Sequence, residues 1–200
     1  LTVTAVERDE VTAAIAGYNL APFDTARVVN ADLGDVELDE VDALWLDPAR
    51  RAGARKLSRP DDWSPSLDIA LGLSQRLPSG IKLAPAMDRG LIPDSHEAQW
   101  VSDGGDVVEV VLWSGTLARN GVRRAALVLG ADSGPHELTA AADSADVDAG
   151  PLGEYLYEPD GAVIRARLIG DLARSLDARP VHPTIAYLSS DRLAPTPFAT

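Results

Sequence analysis

Three apolar runs near the start of this chain each stop at an acid, and that repeat constrains the fold more than any other feature. Residues 2–6 run into Glu7, residues 27–30 reach Asp32, and residues 43–46 end at Asp47-Pro48. A strand buried on both faces of a parallel sheet reads as a continuous apolar run. An acid followed by proline ends such a strand, because proline cannot donate to the ladder and the chain must leave the sheet. Open α/β sheets bind their ligands at the carboxyl edge. The pattern therefore predicts an α/β fold that delivers Glu7, Asp32 and Asp47 to one edge. Each acid also has a plainer reading: an ordinary helix-start acid for Glu7, an Asx turn for Asp32, and a strand-end cap beside a proline turn for Asp47.

The remaining segments alternate in the same manner. Residues 9–19 have helical spacing, with Val11, Ala14, Ile15 and Tyr18 on one face and Asp9 or Thr12 as cap. Residues 50–65 are too rich in Arg, Pro, Asp and Gly for regular structure, and loops of that length tend to be functional. A helix is expected over 66–77, with Leu67, Ala70, Leu71 and Ser74 on one face, then strands over 81–86 and 97–102. Gly104-Gly105 forms a turn. Residues 106–113 are valine-rich like a strand, yet Asp106 and Glu109 are spaced like a capping box, so both readings stand. A strand is expected over 123–129. Residues 131–150, rich in Ala, Asp and Ser, read as a linker. Beyond them come a strand at 152–157, a helix over 162–176 with Ile164, Leu168, Leu172 and Leu176 aligned, and a strand at 184–188. The expected organisation is a domain over 1–130, a linker, and a small α+β domain over 151–200.

Composition excludes several classes. The chain has no cysteine, hence neither disulfides nor a thiolate metal site. His96, His136 and His182 are scattered, and no metal is expected. No apolar run approaches the roughly 18 residues that span a bilayer, so no membrane partner is expected and a cytoplasmic location is. The net charge of −13 argues against wholesale wrapping of nucleic acid. Against that background Arg50, Arg51, Arg55, Lys56 and Arg59 cluster just after the Asp47 strand. Such a group suits phosphate contacts, or equally a solvated loop paired with Asp61 and Asp62. Lys82 inside an apolar strand is a candidate substrate contact, or a lysine snorkelling at an edge. Trp45 and Trp100 read as core, and His96 as an inconsequential loop residue.

Taken in order, these residues resemble the class I S-adenosylmethionine-dependent methyltransferases. The resemblance implies a Rossmann-like sheet in which Glu7 holds the cofactor ribose and Asp32 lies near the adenine. Asp47-Pro48-Ala49-Arg50 resembles the family's Asp/Asn-Pro-Pro-X motif, with Ala for the second proline, so Asp47 and Pro48 stand at the methyl-transfer site. The family's first strand and Gly-rich loop have no counterpart before Glu7. A fragment that binds the cofactor weakly and is inactive by itself is expected; a divergent domain is the other reading. The segment from Leu152-Gly153-Glu154-Tyr155-Leu156-Tyr157-Glu158-Pro159 through Leu176 resembles a THUMP-like domain, which implies RNA as partner.

Two absences shape the implied chemistry. Without cysteine, the covalent route of the C5-pyrimidine enzymes is closed. Arg50 stands where amino-methylating relatives carry an aromatic that stacks on a flipped base. Direct attack by a substrate nitrogen or oxygen remains, with Asp47 orienting or deprotonating it and Pro48 offering its carbonyl. Arg50, Arg51, Arg55, Lys56 and Lys82 would then contact RNA. A nicotinamide-dependent oxidoreductase and an RNA-binding module with a decayed methyltransferase fold are the alternatives.

Overall fold

The computed structural model describes residues 1–52, 55, 56, 59–130 and 134–200. These form two units, Leu1–Val41 and Asp42–Thr200.

The first unit is a strand–helix–strand. Strands β1 (Val3–Glu7) and β2 (Ala26–Asn30) pair in parallel, Val3 opposite Ala26 and Glu7 opposite Asn30. Helix α1 (Glu10–Leu20) connects them, and the Asp9 carboxylate caps it by accepting from the Thr12 N–H at 2.8 Å. Its covered face is not the one expected. Ala13 is buried and Ala16, Gly17 and Leu20 are half-buried, whereas Val11, Ala14, Ile15 and Tyr18 are exposed. Small residues let a helix lie close to a two-stranded sheet, and a periodicity search that weighs bulk overlooks them.

The second unit is built on a mixed six-stranded sheet in the order β10-β9-β7-β8-β6-β3. Its strands are β3 (Leu44–Leu46), β6 (Ser79–Leu83), β7 (Glu97–Asp103), β8 (Asp106–Trp113), β9 (Arg124–Gly130) and β10 (Gly134–Ala140). β3 is parallel to β6 and β7 to β9, while β8 runs antiparallel between β6 and β7. One register row reads Leu46, Ile81, Leu112, Ala98, Arg124, and its apolar members are buried. Helix α2 (Leu67–Ser74), capped by the Ser66 hydroxyl, buries Leu67, Ala70 and Ser74. The valine-rich segment 106–113 is thus a strand: β-branched residues on a central strand outweigh the capping-box spacing.

Between β3 and α2, the segment expected to be irregular contains a two-stranded ribbon of β4 (Arg51–Ala52) and β5 (Arg55–Lys56), then a 3₁₀ turn at Pro60–Asp62.

Part of the segment expected as a linker is regular structure. Residues 134–140 form β10 along the edge of β9. The C-terminal part then packs within this same unit, because α3 (Gly161–Arg165) lies against β7 and β9. β11 (Tyr155–Tyr157), β13 (Ile185–Ser190) and β12 (Arg179–His182) make a three-stranded antiparallel sheet. The single helix expected over 162–176 is two, α3 and α4 (Ile169–Ser175), broken at Arg167, which adopts a left-handed φ of 61°. Leu168, Leu172 and Leu176 are nonetheless buried together with Val163 and Leu188.

Candidate active site

Asp47 follows the last residue of β3, between buried Leu46 and fully buried Pro48. The β3–β6 register, Leu46 opposite Ile81, sets Asp47 beside Lys82. Lys82 Nζ lies 2.8 Å from Asp47 Oδ2, with side chains 36% and 55% exposed. The lysine in an apolar strand is therefore the counter-ion of the motif acid, and its ammonium fixes where the carboxylate points. Pro48 anchors the exit. Just beyond, Ala49 and Ser64 exchange backbone hydrogen bonds of 2.8 and 3.1 Å, so the segment between them leaves and re-enters beside the motif.

That segment carries the basic group. Arg50 is half-buried and makes no ion pair among the described residues. In the ribbon, Arg51 pairs with Lys56 and Ala52 with Arg55 in backbone register. Arg59 lies 3.3 Å from Asp61, both exposed, a pair of little energetic weight.

Period-two alternation puts Trp45 and Asp47 on the same face of the sheet. Trp45, Gly80 and Trp113 share a row, and the two indoles meet with centroids 5.7 Å apart at 50°. A Cβ on Gly80 would stand 2.7 Å from Trp45 and 2.8 Å from Trp113, so glycine is what lets the rings close over β6. Trp45 is 57% exposed and not core as expected, while Trp100 is fully buried. From Trp113 a polar chain crosses the sheet. Its Nε1–H donates to Gln99 Oε1 at 3.0 Å, and Gln99 Nε2 donates to Glu137 Oε1 at 2.5 Å. Arg119 joins Glu137 to Glu97, whose side chain is 1% exposed. The guanidinium of Arg119 holds the Glu137 carboxyl below the usual carboxylate range, and Gln99 adds to this against the effect of burial.

Glu7 and Asp32 stand together at the carboxyl end of the β1–β2 pair. Glu7 Oε1 accepts the Asp9 N–H at 2.8 Å, and the Asn30 amide donates to the carbonyls of Glu7 and Arg8. Asp32 Oδ1 accepts the Gly34 N–H at 3.0 Å and caps a 3₁₀ turn. Each acid thus has one oxygen held by backbone and one without a partner among the described residues. A fixed carboxylate with a free oxygen is an acceptor that fits ribose hydroxyls, so both residues suit a nucleoside-type cofactor. The two acids lie in the first unit, and Asp47 with Lys82 in the second.

Sequence reasoning passed over several groups. His96 is 1% exposed, with Nε2 2.8 Å from the Ser74 hydroxyl and Nδ1 3.1 Å from that of Ser95. Burial, reinforced by the charge of Arg123, pushes its pKa below the ordinary histidine value. The Glu97–Arg119–Glu137 network was missed too, as was a group of arginines around Asp143. Among the described residues no cluster of His, Cys, Asp or Glu could hold a metal, and no helix is long and apolar enough to cross a membrane.

No family model matches the chain. It is 36% identical over 202 aligned positions to a Mycobacterium tuberculosis protein, found in strains CDC 1551 / Oshkosh and ATCC 25618 / H37Rv, whose name is uncharacterized S-adenosylmethionine-dependent methyltransferase. The match covers 98% of this chain and 55% of that protein, so the chain spans about half the length of the curated relatives it matches. A crystal structure from Porphyromonas gingivalis W83, described as a candidate methyltransferase, superposes with a TM-score of 0.71 at 20% identity, covering 98% of this chain and 53% of that one. The fold is therefore a mixed α/β fold with a central mixed sheet, shared with that methyltransferase-like structure.

Proposed function

We propose that this chain serves an S-adenosylmethionine-dependent methyltransferase that acts on RNA by direct transfer. The observation that carries the reading is the Asp47-Pro48 strand end with its carboxylate held by Lys82, in a chain 36% identical to relatives bearing that name. The cofactor, when bound, supplies a methyl group activated by a sulfonium. Glu7 holds ribose hydroxyls through its free oxygen, and Asp32 lies near the adenine. Asp47 orients the attacking nitrogen or oxygen and takes its proton, while the Pro48 carbonyl accepts a second hydrogen bond. Lys82 keeps the Asp47 carboxylate in place. No cysteine of this chain takes part, since it has none.

The basic segment supports RNA as the substrate class. Arg50, Arg51, Arg55 and Lys56 contact RNA phosphates, and the C-terminal part, a THUMP-like module in this reading, extends the surface. Four phosphate contacts on a single strand give a salt slope near −3, at about −0.7 per contact. The test uses the native gene product. Asp47→Ala should abolish methyl incorporation and leave RNA affinity nearly unchanged, because a carboxylate does not bind phosphate. Replacing the four basic residues by Ala should weaken RNA binding and flatten the slope. Unchanged RNA binding by the quadruple variant refutes the RNA assignment, and full activity of Asp47→Ala refutes the site.

A further inference from the structure

Four arginines converge on a second place in the sheet, well away from Asp47. Arg124 lies on β9, with β7, β8 and β6 between it and β3. It pairs with Ala98 whereas Lys82 shares a row with Gln99, so alternation turns Arg124 to the opposite face from Lys82. Asp143 is the hub. Arg89 Nη2 reaches its Oδ2 at 2.6 Å, Arg124 Nε its Oδ1 at 2.7 Å, and Arg167 Nε lies 3.9 Å from Oδ2. Among the described residues, the Arg123 side chain is held by the Pro93 carbonyl at 3.4 Å and by Asp94 at 3.5 Å, the latter side chain fully exposed. Asp94, Arg123, Arg124, Ala141, Ala142 and Asp143 line a hollow of about 370 Å³.

Three features say that this is more than a staple. First, the charge is unbalanced: four guanidiniums face two carboxylates in a chain whose net charge is −13. Each guanidinium offers about five N–H donors, far more than two carboxylates can accept. Second, Arg89 Nε is buried with no acceptor among the described residues, so the fold bears a cost to keep that arginine at the hub. Third, Arg167 holds a left-handed φ of 61° at the end of α3, where glycine is the ordinary choice. The Ser144 N–H fixes it there by donating to its carbonyl at 2.9 Å. Retaining a long cationic side chain at a strained position points to use of that side chain.

We infer that the hollow lined by Arg123, Arg124 and Asp143, with Arg167 beside it and its Nε 3.9 Å from Asp143 Oδ2, is an anion site that takes a phosphate group, with room for the sugar it esterifies. Planar guanidiniums match phosphate oxygens in pairs, so the geometry favours phosphate over chloride. Binding here needs neither methyl transfer nor Asp47, so this site stands or falls independently of the proposed function.

The experiment is a calorimetric titration of the native gene product with inorganic phosphate at constant ionic strength, with chloride as control. Phosphate should bind and chloride should not. Arg167→Gly relieves the backbone strain, so its unfolding midpoint should hold or rise while phosphate affinity falls about tenfold, the loss of one charge-assisted contact. Asp143→Asn removes the internal competitor and should tighten binding; where that variant fails to fold, Arg167→Gly decides alone. Adenosine monophosphate and a short single-stranded RNA separate the sources. Tighter binding of the RNA, lost in Arg167→Gly, assigns a polynucleotide phosphate, and tighter binding of the mononucleotide assigns a small metabolite. Equal response to phosphate and chloride, or unchanged phosphate affinity in Arg167→Gly, overturns the inference.

Discussion

Removing the guanidinium of Arg119 should destabilise the second unit more than any loss of an exposed ion pair. Glu97 opens β7 with its side chain 1% exposed, and its carboxylate accepts from the Arg119 backbone N–H at 2.8 Å, from Nε at 3.0 Å and from Nη2 at 2.5 Å. In Arg119→Ala only the backbone bond remains, and a buried charge is left with half-buried Glu137 nearby. Breaking a fully buried pair costs about 3–5 kcal/mol. Arg119 is 43% exposed, so solvent screens part of this and about 2–3 kcal/mol is expected. At about 2–4 °C per kcal/mol for a unit of this size, Tm should fall by about 5–10 °C. Glu97→Gln keeps the shape but loses the charge and should cost about 1–2 kcal/mol. The double variant should cost less than the sum of the two by about 1 kcal/mol or more, because either change alone already breaks the pair. Urea unfolding followed by fluorescence is well suited, since Trp45, Trp63, Trp100 and Trp113 all lie in the second unit. Acid unfolding gives a further readout. The depressed Glu137 carboxyl contributes stability that is present above its unfolded pKa of about 4.5 and is lost as pH falls through the folded value; Arg119→Ala should flatten that limb. A cost below about 0.5 kcal/mol for Arg119→Ala, or strictly additive single costs, refutes the coupled network.

Three more outcomes follow from the same structure. His96 is held neutral, so its contribution is complete above the unfolded pKa of about 6.5 and erodes as pH falls toward the folded value; His96→Gln should remove that dependence in urea unfolding at pH 7.5 and 5.5, and an unchanged difference between the two would contradict it. Gly80→Ala should push the Trp45 and Trp113 rings apart, costing about 1–3 kcal/mol and changing indole fluorescence. Lys82→Met should change stability by less than about 1 kcal/mol, because both partners of the pair are more than one third exposed, yet in the proposed enzyme it should slow methyl transfer and leave cofactor affinity unchanged.

Much of the fold was legible because the strands that position the acids obey simple rules. β1 and β3 are short runs with an acid at or just past their end, β2 has Asp32 two residues beyond Asn30, and their existence and order follow from that pattern. Where reading failed, the deciding contact was invisible locally. Helix α1 is covered along Ala13, Ala16 and Gly17, and small side chains carry no amphipathic contrast against Val11, Ile15 and Tyr18. β10 is an edge strand with Pro135, His136, Glu137 and Thr139 on it, and edges are polar by necessity, so it reads as a linker. The break between α3 and α4 falls on Arg167, whose identity gives no warning of a left-handed backbone.

The candidate site divides in the same way. Asp47 and Lys82 each stood out as charges at the end of, or inside, apolar strands, but their pairing depends on a register that no local pattern specifies. Glu97 and His96 are adjacent in sequence, and each finds its partner 22 residues away, Arg119 downstream and Ser74 upstream. No helical or strand period spans such a distance, so neither partner shows until the sheet is assembled, although Glu97 already reads as the start of a strand and His96 as a loop residue. Once it is, they explain one another's surroundings. Glu97 begins the strand that carries Gln99, Gln99 holds the Trp113 indole, and Trp113 meets Trp45 over Gly80. Trp45 lies two residues before Asp47 on the same strand face. The buried charges at one side of the sheet thus fix the surface beside the motif acid, and Lys82 fixes the acid itself.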